Sequence, residues 1–173
     1  MKKKILLQYI MSFTVFLHSN NGEKETAGQT NSMFYNFDWN STRPTDYIGE
    51  YEVTFSFVSF GTVAQTDDVF FITADFGGTA DAYAPNLTNG AVQSRVLGFV
   101  RQSTINTPAS PNNGQFSADV TQNVPVRIAT KPSQNQFNVR LLDGDGNLFL
   151  LGTNVAYVLS IHFRTITSIG CMD

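Results

Sequence analysis

The sequence predicts an all-β protein, a single eight-stranded antiparallel jelly-roll β-sandwich, and three observations carry that prediction. Apolar residues recur with period two over long stretches, and no stretch has a convincing amphipathic helical pattern. Aromatics reach 13% against only 14% charged residues, with 15 Phe and one Trp, a composition that suits pleated, half-buried surfaces. Long loops rich in Gly, Pro and Asn separate the apolar runs unevenly, which a jelly roll tolerates.

Taken in chain order, "FTVFLHS" at 13–19 is the first strand. The segment 20–47 follows and holds "MFYNFDW", an aromatic cluster expected to cover an end of the core. "YEVTFSFVS" from Tyr51 sends Tyr51, Val53, Phe55 and Phe57 to one face and Glu52, Thr54 and Ser56 to the other. Shorter runs are "VFFITADF" at 69–76, "RVLGFV" at 95–100, "FSADV" at 116–120 and "VPVRIAT" at 124–130. "FNVRLL" at 137–142 turns Phe137, Val139 and Leu141 inward. "VAYVLSIHFRT" closes the domain, with Val155, Tyr157, Leu159, Ile161 and Phe163 inside and Ser160, His162 and Arg164 outside. The loops at 77–94 and 102–115 are long and polar, whereas "DGDGN" before Leu148 is a tight reversal. At 173 residues and 19.1 kDa this makes one domain over 12–166, an N-terminal extension or arm over 1–11 and a tail over 167–173.

Charge and cysteine content narrow the function. The formal charge of −3 includes Lys2, Lys3 and Lys4. Without them, eight basic residues face 14 acidic ones, a balance unsuited to binding a phosphate backbone, so no direct nucleic-acid partner is expected. Cys171 is the single cysteine, so no internal disulfide can form.

The motifs favour structure over chemistry. Asp143, Asp145 and Asn147 alternate as in a calcium loop, but the sixth and twelfth positions are Leu148 and Asn154 where such a loop needs Gly and Glu. A hairpin turn is the expectation. His18 and His162 fall on the polar sides of their strands and lack a third ligand at metal-binding spacing. There is no nucleophile elbow, P-loop or dinucleotide fingerprint. Carboxylates are sparse: Glu50 and Glu52 share one outer strand face, and Asp67–Asp68, Asp75, Asp81 and Asp119 are scattered. No catalytic, cofactor-binding or metal-ligating residue is assigned, and the chain is not read as an enzyme.

"MKKKILLQYIMSFTVFLHSN" admits two readings. Three lysines before an apolar run suggest a secretory signal, but Gln8, Tyr9 and Ser12 interrupt the run and the small-residue cleavage site is poor. The run is also too short and too polar to span a membrane. Cleavage near Ser19 would delete the first strand, so retention is expected, with residues 1–10 as a basic arm or Met11 as the true start.

The succession "FTVFLHS", "NSMFYNFDW", "GEYEVTFSF", "VLGFV", "PSQNQFNVRLLDGDGNLF" and "YVLSIHFRTI" resembles the single jelly-roll capsid proteins of large double-stranded DNA viruses. It is most similar to the penton (vertex) and minor capsid proteins of virophages, polinton-like viruses and nucleocytoplasmic large DNA viruses, over about residues 12–166. The resemblance implies a homopentamer that plugs the fivefold vertices of an icosahedral virion assembled inside the host cell. Its neighbours would be a double jelly-roll major capsid protein and other minor capsid proteins. The alternative is a secreted jelly-roll binding module, carbohydrate-binding or tumour-necrosis-factor-like, using the sequons at Asn40 and Asn86 and sugar stacking on Tyr35 and Trp39.

Overall fold

The computed structural model describes residues 12–27, 29–38, 50–60, 63–64, 69–75, 95–103, 113–128, 136–151 and 155–166. The arm, the tail, most of the two long loops, Trp39, both sequons, Asp67–Asp68, Asp81 and Cys171 lie outside the described residues. The chain is all-β: among the described residues there are eleven strands and no helix. They are β1 (Ser12–His18), β2 (Glu23–Lys24), β3 (Ser32–Asn36), β4 (Glu50–Phe60), β5 (Val63–Ala64), β6 (Val69–Ala74), β7 (Arg95–Ser103), β8 (Asn113–Ala118), β9 (Val126–Ile128), β10 (Gln136–Leu142) and β11 (Ala156–Ile166).

Every pairing is antiparallel, and the main path runs β1-β11-β4-β8-β7-β6-β10-β3-β2. Eight of these strands form four nested pairs: β1 with β11, β3 with β10, β4 with β8, and β6 with β7. A long hairpin wound upon itself gives this arrangement, the pattern of a jelly roll. The three short strands are additions to the expected eight: β2 beside β3, β5 beside β8 and β9 beside β4.

Contacts between strands distant in the path show the sheet curling into two facing layers. Phe57 on β4 meets Phe70 on β6 edge to face, with ring centroids 5.3 Å apart. The Tyr35 hydroxyl on β3 donates to that of Tyr157 on β11 at 3.4 Å. Phe70 also stacks on Phe149 at 4.7 Å and packs against Phe116 at 5.1 Å, so phenylalanines link both layers. The inward positions expected from alternation on β4, β10 and β11 are all buried.

Two strands differ from expectation for physical reasons. "MFYNFDW" is not simply a cover: Ser32–Asn36 is β3, a principal strand whose Met33 and Tyr35 enter the core. Its alternation is hidden because Phe34, on the opposite face, is itself half-buried. Conversely, the strand expected at 124–130 begins only at Val126, as β9, after Pro125, a residue with no N–H for the ladder, and residues 129–130 lie outside the described residues. Ser160, expected outside, is buried on its strand's outward-facing side, opposite Phe16 and Ser56.

Side chains complete the backbone where strands part. At β7, the Asn123 amide accepts from Phe99 N at 2.8 Å and donates to Phe99 O at 3.0 Å, in the manner of a missing strand neighbour. The adjacent Gly98 has φ +154° and sits at the register shift between Ile72 and Thr73. Ser59 likewise accepts from Phe116 N at 2.9 Å where β4 and β8 diverge. In "DGDGN", Asp143 Oδ1 accepts from the backbone N–H of Asp145 and Asn147, and Gly146 supplies the positive φ of 83° that the turn requires. The Asp143 carboxylate therefore serves the hairpin itself.

Candidate interaction surface

The outer face of the β1-β11-β4 layer is built from alternate residues of three long strands in continuous register. Its cross-strand rows are Ser12–Arg164–Glu52, Thr14–His162–Thr54, Phe16–Ser160–Ser56 and His18–Val158–Val58, with Ala156 beside Phe60 beyond them. Charge is confined to one end, where Arg164 and Glu52 form an ion pair at 2.7 Å and Glu52 lies opposite Arg127 of β9. The next three rows carry only hydroxyl, apolar and imidazole side chains. Phe16 is 74% exposed and Phe60 47%, large apolar groups that single strands place in solvent. Exposed rings on and beside three rows without formal charge mark a surface suited to contact with protein.

The two histidines lie on this face but apart. His162 is opposite Thr14, with Nδ1 2.9 Å from the threonine hydroxyl, whereas His18 is opposite Val158, four residues further along β11. That offset is about 13 Å at strand spacing, too far to share an ion. Burial lowers the His162 pKa from its ordinary value. His18 stacks on Phe60 with centroids 6.1 Å apart and accepts from Asn20 N at 3.0 Å. Among the described residues no cluster of three or more His, Cys, Asp or Glu is arranged to hold a metal ion. Among the described residues no helix is long and apolar enough to cross a membrane.

The layer ends at β1, whose second edge has no strand partner among the described residues. There the two ends of the rolled sheet face each other across an open cavity of about 430 Å³, lined by Phe16, Leu17 and His18 on one side and Phe34, Tyr35 and Phe37 on the other. Among the described residues, Glu23 is the one Asp, Glu, Lys or Arg side chain lining it. Tyr35, a candidate for sugar stacking, is only 4% exposed. Burial pushes its pKa up to about 12, and its hydroxyl is committed to Tyr157, so its ring offers no open stacking platform.

β1 itself is integral to the fold. All seven of its residues pair with β11, and Val15 and Leu17 are buried. Ser19, beside the cleavage point weighed from sequence, is fully buried. Its N–H donates to Tyr157 O and its hydroxyl accepts from Tyr157 N, both at 3.0 Å. Sequence patterning placed the histidines and both glutamates on this face, but exposed Phe16 was hidden within an apolar run. Only its parity with Thr14 and His18 could have revealed it.

No protein-family profile matches this chain, and no curated protein matches it.

Proposed function

We propose that this chain is a viral capsid structural protein, a penton subunit that assembles as a homopentameric plug at the vertices of an icosahedral double-stranded DNA virus. The observation that carries the reading is the face just described: three rows without formal charge, edged by Phe16 and Phe60, on a rigid nested sandwich. Five identical copies packed around an axis bring like surfaces close together, and a face that confines its charge to one end avoids self-repulsion. The resemblance of residues 12–166 to single jelly-roll capsid proteins supports the same reading. In it the working surface is a contact, with a rotated copy on one side and a double jelly-roll major capsid protein on the other.

The test is the native mass of the purified chain under non-denaturing conditions. Five copies of the 19.1 kDa chain give about 96 kDa. A pentamer would uphold the vertex reading, and a trimer would overturn it in favour of another assembly. Substituting Phe60→Asp in the pentamer should shift its dissociation midpoint to at least ten-fold higher protein concentration, through the cost of burying an unpaired charge.

A further inference from the structure

We infer that the free edge of β1 receives an extended segment, residues 5–10, from a second copy of this chain. The inference rests on self-association, as the ring reading does, but not on the number of copies.

The first ground is the edge itself. β1 is seven residues long, pairs with β11 without a register shift, and contains no Lys, Arg, Asp, Glu or Pro. Sheet edges are ordinarily blunted by charge, proline or a bulge, because their unpaired N–H and C=O groups otherwise recruit another strand. This edge has none of those devices within Ser12–His18, and Phe16 stands beside it 74% exposed.

The second ground is the cavity alongside. Its walls present Phe16, Phe34 and Phe37, with Glu23 as the charged lining group. A strand that fits there has apolar residues to lay between the rings and a cation at one end to meet Glu23. "KKKILLQYI" has that composition in that order: Lys2–Lys4, then Ile5, Leu6 and Leu7.

The third ground is chain geometry, which selects a second copy. Residues 5–10 are separated from Ser12 by Met11 alone, and the tightest hairpin needs two loop residues. A looser reversal over Gln8–Met11 would lay Lys2–Lys4 along the apolar part of the edge, and that stretch has no Gly, Asn, Asp or Pro to make the turn. An extended segment from a neighbour meets neither obstacle.

The full-length chain tests this. An equal mixture of ¹⁴N- and ¹⁵N-labelled protein is treated with a zero-length carbodiimide, and cross-links from Lys2–Lys4 to Glu23 are sorted by isotope. Mixed-isotope links are expected, and same-isotope links alone would overturn the inference. In parallel, Leu6→Asp/Leu7→Asp and Phe16→Asp should each weaken self-association at least ten-fold while leaving the far-ultraviolet circular dichroism unchanged. Unchanged association in both variants would overturn strand exchange while leaving a pentameric ring standing. A multimer of another size that loses association in these variants would do the reverse.

Discussion

Gly98 shows how closely single residues fix this sandwich. A Cβ there would lie 2.3 Å from Asn123 Oδ1 and 2.8 Å from the Phe55 ring, and its φ of +154° disfavours any side chain. Gly98→Ala must therefore displace the Asn123 amide that completes β7. It should cost about 2–4 kcal/mol in a denaturant melt, against about 0.5 kcal/mol for an ordinary surface change. The Tyr35–Tyr157 pair makes a second prediction. Burial raises both hydroxyls above their ordinary value, Tyr35 to about 12. A folded-state pKa above the unfolded one means that the native state holds its protons more tightly. This stabilisation is complete below about pH 10 and is lost as pH rises from there through 12. A titration followed at 295 nm should show these two tyrosines ionising only together with alkaline unfolding, and in Tyr35→Phe/Tyr157→Phe the alkaline limb should become shallower.

At the scale of elements, β1 separates what supports the fold from what faces outward. Leu17 is in the core and Phe16 is in solvent, one residue apart on the same strand. Leu17→Ala should destabilise the isolated subunit by about 2–4 kcal/mol, and Phe16→Ser should stay within about 0.5 kcal/mol, as thermal denaturation of the dilute protein would show. The same alternation explains what was legible in the sequence. β4, β10 and β11 alternate cleanly where their outer positions are polar, at Glu52, Thr54 and Ser56, at Asn138 and Arg140, and at Ser160, His162 and Arg164, and the inward residues there follow from parity alone. β3 was missed because Phe34 puts an apolar ring on the outer face and conceals the period. The start of β9 was placed too early because apolar composition outweighed the missing N–H of Pro125. The candidate surface was only half legible. Parity assigns a side chain to a face, but pairing between strands far apart in sequence decides which rows meet, and that partnership leaves no local trace.

For the whole molecule, nested pairing decides what is edge and what is interior. Winding buries the apolar faces of both layers and leaves one long strand, β1, with a flank that has no strand partner among the described residues, beside the opening between the ends of the sheet. An assembling subunit can use that flank, and a solitary one is exposed by it. The chain should therefore self-associate increasingly as concentration rises, with light scattering from dilute to concentrated solution as the measure. Phe16→Lys should suppress that scattering without lowering the melting temperature of the dilute protein. The pairing of β1 with β11 has a further consequence in time. Thr14 and His162, which touch, are 148 positions apart, so β1 leaves the ribosome long before β11 and must wait for it before its inner flank is covered. A pairing between residues so far apart in sequence is slow to form, because the long intervening loop must close first. A chain that stops short of β11 cannot close the layer from which Phe16 and Phe60 project, so its β1 is left without its inner partner.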